Sequence, residues 1–294
     1  MAPAILSKSL ALVGPGRAGR AFARSWTRAG GEIASVGFRD ASRGLPEELS
    51  GSARFEVDGT TVPPADLLVL AVPDDAIAGV AEALAGRLRS PFVFHLSGAL
   101  PSAVLAPFRA HGASLASLHP LRPFTGAAEE DWRGAFVAVE VDEQAAGAGA
   151  ELARAVGANP HRLAASAKPL YHAAASLAAG GVAAVISIAV RGWSAAGIPE
   201  DIARQALAGL AASAAAAAAD QPFAAALTGA VARRDVGTVR SHAAALADHR
   251  EALALYRALA EEILTRTFGR GKEEEIRRVL RGEELRSGPP RAGT

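Results

Sequence analysis

The stretch "ALVGPGRAGRAF" (residues 11–22) decides the fold, because in it an apolar run gives way to a helical one through closely spaced glycines. Gly14, Gly16 and Gly19 stand in G-x-G-x-x-G spacing, a pattern that gains meaning when it follows a strand and opens a helix. Gly14 permits a tight turn, Gly16 lets the backbone approach a pyrophosphate, and Gly19 lets the helix pack closely. The helix N-terminus adds unpaired N–H groups and a partial positive charge for phosphates. Residues Gly14, Pro15, Gly16, Arg17, Ala18 and Gly19 are therefore the candidate phosphate loop.

On either side of this loop the first half of the chain alternates short apolar runs with helical patterns. "LALVG" (10–14), "IASVGF" (33–38), "DLLVLAV" (66–72), "FVFHL" (92–96), "SLASLH" (114–119) and "FVAVEV" (136–141) read as strands, with helices over 17–29, 74–88 and 101–111. Continuously apolar strands suit a parallel sheet covered on both faces, so the fold class is α/β with a doubly wound sheet. After about residue 160 the strand pattern stops. "SAKPLYHAAASLAAGGVAAVISIAVRGW" reads as one long helix with Ser166 as N-cap and Pro169 in the first turn, and further helices follow the breaks "GIP" and "QPF". The expected organisation is a Rossmann nucleotide-binding domain over 1–163, an all-helical dimerisation and substrate domain over 164–270, and a charged, flexible tail over 271–294 that frays after a short helix.

Composition narrows the function. The chain has 294 residues, half of them hydrophobic, and a net charge of +1, which gives no global field to recruit nucleic acid. It contains no cysteine, which excludes disulfides, thiolate metal sites and a cysteine nucleophile. The N-terminus lacks the pattern of a secretory signal, and a cytoplasmic, reducing compartment is expected. The uncharged run from Ala173 to Val190 is long enough to raise the question of a membrane span. Alanine, glycine and serine dominate it and gain little by leaving water, so the expectation is the centre of a helical domain, with no membrane.

Candidate site residues cluster at the carboxyl ends of strands, where doubly wound sheets bind ligands. Arg39 and Arg43 follow the second strand and suit the 2′-phosphate of NADP, although Asp40 between them would suit the ribose of NAD. Val72, Pro73 and Asp74 follow the next buried strand and complete the cofactor side. "HLSGAL" (95–100) and "SLHPLRPF" (117–124) bring His95, Ser97, Gly98 and His119 to the same edge as a substrate site. No carboxylate pattern accompanies the histidines, so no metal is expected. Almost every basic residue is arginine, and Lys168 is the one lysine away from the termini. With His172 one turn later, it forms the candidate catalytic pair, because a lysine can shift its pKa and pass a proton where arginine cannot.

Together "VGPGRAG", "LAVPDDAI", "HLSGAL", "SLHPLRPF", "KPLYHAAA" and "LTGAVARRDVGTVRSHAAAL" resemble one family over about residues 8–268. It comprises Rossmann-like proteins whose C-terminal half is a domain of unknown function, near the NADP oxidoreductases and pyrroline-5-carboxylate reductases. It is more distantly similar to 6-phosphogluconate and 3-hydroxyacid dehydrogenases. The resemblance implies an N-terminal NADP domain and a helical domain that pairs two subunits and completes the cleft. It also implies that Ser97 and Gly98 hold substrate and that Lys168 and His172 do proton work. Gly180, Ala230 and Arg234 depart from the asparagine, proline and glycine the resemblance leads one to expect there. Thr228, Arg233, Asp235, Thr238 and His242 keep its later motif, either lining the cleft or holding the helices.

Two functional readings follow. One is an oxidoreductase moving hydride between NADP, or NAD, and a small polar carbonyl, imine or alcohol substrate. The other is a non-catalytic NADP sensor or partner protein using the same cleft. The apolar helix over about 167–191 cannot hide every face inside a small domain, so a homodimer through the C-terminal half is expected.

Overall fold

The computed structural model describes residues 3–39, 44–141, 147–269 and 271–283. The chain forms two compact units, Met1–Ala178 and Ala179–Thr294. In the first, the elements run β1 (Leu10–Val13), α1 (Arg17–Arg28), β2 (Ile33–Phe38), β3 (Ala53–Glu56), β4 (Leu67–Leu70), α2 (Asp74–Ala85), β5 (Phe92–His95), β6 (Ser114–Pro120), β7 (Phe136–Val141), α3 (Ala148–Ala155), β8 (Asn159–Arg162) and α4 (Lys168–Ser176). The eight strands form one sheet in the order β3-β2-β1-β4-β5-β6-β7-β8, parallel except for the antiparallel pair β6–β7.

The sheet is covered on both faces, and the period-2 alternation of its strands divides the core in two. Leu10, Leu12, Leu67 and Val69 face a cluster with Phe22, Trp26, Phe94 and Trp132. Ala11, Val13, Leu68 and Leu70 face the opposite cluster with Ile77, Leu84, Leu105 and Phe108. The six strands read from sequence are present. The two edge strands, β3 and β8, are additional: each is largely exposed, so neither carries the continuous apolar run that betrays a buried strand.

Three local expectations change. Residues Ser102–His111 wind as a 3-10 rather than an α-helix, with Pro107 inside it. Ser166 does not cap the long helix. It sits in a 3-10 turn over Ala165–Ala167, and α4 starts at Lys168 without a side-chain cap. That long helix is also interrupted by a π turn over Leu177–Gly181. The domain boundary expected at 163/164 falls between Ala178 and Ala179, because α4 is tied by hydrogen bonds to the strand ends of the first unit.

The second unit contains α5 (Val182–Ala195), α6 (Glu200–Asp220), α7 (Phe223–Ala226), α8 (Gly229–Arg233), α9 (Val236–Ala245), α10 (Arg250–Arg266) and α11 (Glu273–Arg281). The short helix expected in the charged C-terminal stretch is α11, whose Ile276, Val279 and Leu280 are buried with Val231, Val239 and Leu264, and the tail expected beyond it lies outside the described residues from 284 on. Arg234 explains its own departure from glycine. It adopts the left-handed conformation that favours glycine, at φ 60°, and uses its buried guanidinium as a staple. The guanidinium donates to Val231 O, Thr267 O and Thr267 Oγ1 and pairs with Glu273 Oε1 at 3.1 Å, joining α8, α10 and α11. Asp235 caps α9 by accepting from Thr238 N at 3.0 Å, and His242 meets Tyr256 Oη at 3.0 Å. Of the later motif, Asp235 and Thr238 close the first turn of α9, and His242 ties α9 to α10.

Candidate active site

The glycine loop turns where the sequence places it. Gly14 has φ 88°, and a side chain there would strike Ala71 O at 2.6 Å. A Cβ on Gly19 would fall inside contact with Gly14 O, so that glycine sets the approach of α1 to the turn. Gly16 is different, since a Cβ there would meet nothing within 4 Å. It borders a cleft of about 840 Å³ lined also by Gly14, Pro15, Arg39, Val72 and Pro73. The cleft continues past Phe38, Gly44, Val57 and Asp58, which the sequence reading did not name. Open space at Gly16 beside a helix N-terminus, with an arginine at the far end, fits a dinucleotide phosphate. Arg17 opens α1 with its side chain 3.4 Å from where a Gly126 Cβ would stand, and Ala18 follows it in the helix. Arg43 and Asp40 lie outside the described residues.

The polar cluster gathers at the carboxyl ends of β5 and β6, against the first turns of α4. Lys168 is fully buried and donates from Nζ to Ser117 Oγ at 2.7 Å and to Ser97 O at 3.1 Å. Ser117 Oγ also donates to Ser97 O, at 2.9 Å. Burial pushes the Lys168 amine down to about 8, against the opposing charges of Glu140 and Asp74. Its closed position changes the expectation that it meets substrate directly: Lys168 pins the Ser97–Gly98 turn. Glu140 stands behind it, accepting from the backbone N–H and hydroxyl of Ser102.

His95 is placed in the substrate set by sequence, and the structure makes it part of the framework. Its ring is buried, Nδ1 accepts from Ser97 N at 3.1 Å, and Nε2 faces Pro101 O at 3.2 Å. With an N–H donor on Nδ1 and a carbonyl on Nε2, the neutral Nε2–H tautomer satisfies both contacts. Burial lowers its pKa to about 4, so it stays neutral. Ser97 likewise shapes the turn, its Oγ accepting from the N–H groups of Ala99 at 3.1 Å and Leu100 at 3.0 Å.

His119, Tyr171 and His172 are half-buried beside that turn. Gly98 is wedged between two imidazoles: a Cβ there would fall inside contact with His172 Nδ1 and stand 2.8 Å from His119 Nε2. The His119 and His172 rings meet edge to face with centroids 5.6 Å apart. His172 Nδ1 is shut from solvent without a hydrogen-bond partner, which leaves Nε2 as the nitrogen able to meet a ligand. Asp74, in the first turn of α2, is near enough that its charge acts on His95, His119 and Lys168. Ser117, Glu140 and Tyr171 belong to this cluster without having been singled out by sequence. Ser117 shares a face of β6 with His119 by strand alternation, and Tyr171 shares a face of α4 with Lys168 by helical spacing. Among the described residues, no group of three or more histidine, aspartate or glutamate side chains could hold a metal ion.

A doubly wound sheet with a glycine loop at the mouth of a cleft defines a Rossmann-like fold. The chain carries a Rossmann-like domain, matched over residues 3–120, followed by DUF2520, a domain of unknown function, matched over residues 135–263. No curated protein matches the sequence. Among solved structures, a Bacteroides fragilis protein described as a candidate NADP oxidoreductase is similar with a TM-score of 0.71 and 19% identity, over 88% of this chain and 99% of that one. A protein from Thermotoga maritima gives a TM-score of 0.69 and 22% identity, over 88% and 98% of the two chains. Pyrroline carboxylate reductase from Plasmodium falciparum, solved with NADP bound, gives 0.55 and 11%, over 89% and 99%. At these identities the likeness establishes a shared fold.

Proposed function

We propose that the protein is an NADP-dependent oxidoreductase that moves a hydride between the nicotinamide and a small polar carbonyl, imine or alcohol substrate. The observation that carries this reading is that a phosphate-ready cleft and a cluster of buried and half-buried proton-handling side chains lie along one sheet edge. The fold shared with an NADP-bound reductase supports it. Gly14, Pro15 and Gly16 would face the pyrophosphate, and Arg39 the 2′-phosphate. His119 and His172 would meet the substrate at the Gly98 turn, with Lys168 fixing that turn from behind. Complete burial of Lys168 is the feature that favours the rival sensor reading, which needs binding without turnover.

Titration calorimetry tests the cofactor. NADP should bind more tightly than NAD, and Arg39→Ala should weaken NADP alone by about tenfold, the loss of one charge-assisted phosphate contact. Equal affinities unaffected by Arg39→Ala would remove the 2′-phosphate assignment.

The reading includes a cytoplasmic homodimer paired through the helical unit. The stretches Ala165–Ala195 and Glu200–Asp220 are long and apolar enough to cross a membrane by length and composition, and little of either is buried. Alanine dominates the second, which gains little from lipid, so a second copy of the chain is the cover proposed here.

A further inference from the structure

Tyr171 Oη lies 2.8 Å from His119 Nδ1, and the two rings meet edge to face with centroids 5.5 Å apart. A phenol is a stronger acid than a neutral imidazole N–H, so the hydroxyl donates and Nδ1 accepts. The imidazole proton then resides on Nε2. That nitrogen lies along Gly98, whose missing side chain leaves it room. Four titratable groups face this ring. Burial, His172 and Lys168 hold its pKa down, to about 4, with Asp74 opposing them, while Tyr171 occupies Nδ1. At neutral pH the site therefore presents an uncharged N–H donor.

We infer that Tyr171 and His119 form a proton relay at the carboxyl edge of the sheet, and that it serves a carbonyl compound and its alcohol rather than an imine. The inference rests on the oxidoreductase reading above. Reduced nicotinamide cofactor, when bound, supplies the hydride. As the new C–H bond forms at the carbonyl carbon, the C=O π pair moves onto oxygen, which becomes an alkoxide. The alkoxide takes the proton of His119 Nε2, while Nδ1 takes the proton of Tyr171. Once the alcohol leaves, Nδ1 returns its proton to the phenolate and Nε2 takes one from water, releasing hydroxide to solvent, so that ring and phenol regain their first state.

The direction of each transfer follows from basicity. An alkoxide is a stronger base than a phenolate, and this holds although burial raises the pKa of Tyr171. The relay therefore runs downhill for a carbonyl substrate. An imine makes the opposite demand, since it needs its proton before the hydride arrives and is a weaker base than a phenolate. A neutral imidazole backed by a neutral phenol cannot meet that demand, whereas it can polarise a carbonyl oxygen by donating to it.

Tyr171 acts through His119 and is a positioning residue, so its test needs a readout that packing alone would not move. Ring-nitrogen NMR of the full chain supplies one without any substrate, with His119 assigned by loss of its signals in His119→Gln. The expected result is an Nε2–H ring in the wild type and a mixed tautomer in Tyr171→Phe. An Nδ1–H ring in the wild type overturns the relay, even if Tyr171→Phe fails to fold. With saturating NADPH, small aldehydes and ketones are then compared with cyclic imines. Carbonyl-dependent NADPH oxidation is expected, falling about 10²-fold in kcat in Tyr171→Phe with little change in KM. Imine turnover without carbonyl turnover, or no carbonyl turnover in protein shown by calorimetry to bind NADPH, overturns the substrate assignment. Failure to bind NADPH would sink the oxidoreductase reading instead, and the tautomer would still decide the relay.

Discussion

In the sheet unit Leu10, Leu12, Leu67 and Phe94 are wholly shut from solvent, whereas in the helical unit Ile202 and Leu210 are 52% and 65% exposed. The contrast follows from geometry. A doubly wound sheet presents two apolar faces, and the helices connecting its strands cover both. A helix covers only what lies against its own stripe, and α6 has a single buried residue, Ala203. One unit closes its core between sheet and helices, and the other leaves apolar side chains exposed. The polar side chains are divided in a similar way: Ser97, Ser117 and Lys168 are tied together at the strand ends, while Arg234 joins helices to one another and Asp235 caps α9.

The largest effect is expected from breaking the locked side. Lys168→Met should free the Ser97–Gly98 turn and lower turnover by about 10²-fold or more, the scale on which small misplacements of reacting groups act. NADP affinity should barely change. Lys168→Arg should rescue little, because a guanidinium neither fits the closed site nor readily gives up a proton. Thermal stability at neutral pH should be kept or raised, since a buried ammonium is costly. Full turnover in Lys168→Met would show the lysine to be a packing residue.

The open side predicts the next effect. Ile202 and Leu210 fall on one stripe of α6 by helical spacing. Ile202→Asp with Leu210→Asp should convert a dimer to monomer at micromolar concentration by light scattering, with NADP binding intact. A wild-type protein that is already monomeric would show that the helical unit has no second copy as its cover.

The smallest effect sharpens the locked side further. His95 is buried and its pKa is lowered from 6.5 to about 4, so on acidification the unfolded chain takes up a proton before the folded one does. Stability contributed by this group is full above pH 6.5 and is lost as pH falls through 4, amounting to about 3 kcal/mol at about 1.4 kcal/mol per unit. Urea unfolding between these pH values should show that slope, reduced in His95→Asn. An identical slope in the variant would assign the acid sensitivity elsewhere.

The doubly wound class, the six apolar strands and the turn at Gly14 were legible in the sequence, because continuous apolar runs and glycine spacing are local signals, whereas the strand order came from the tertiary structure. The sequence also brought Ser97, Gly98, His119, Lys168 and His172 to one sheet edge, since strand ends and a helix start can be read from pattern. Tertiary structure decided the edge strands β3 and β8, whose half-exposed residues carry no apolar run. It decided which histidine is buried framework and which stays half-buried beside the Gly98 turn: His95 and His119 look alike in sequence, and only their burial and the partners of their ring nitrogens separate them. It buried Lys168 against Ser97 and Ser117, and it turned Arg234 from a departure into a staple. In each case the deciding contacts join residues far apart in the chain, and no local pattern records which buried polar atom will find which partner.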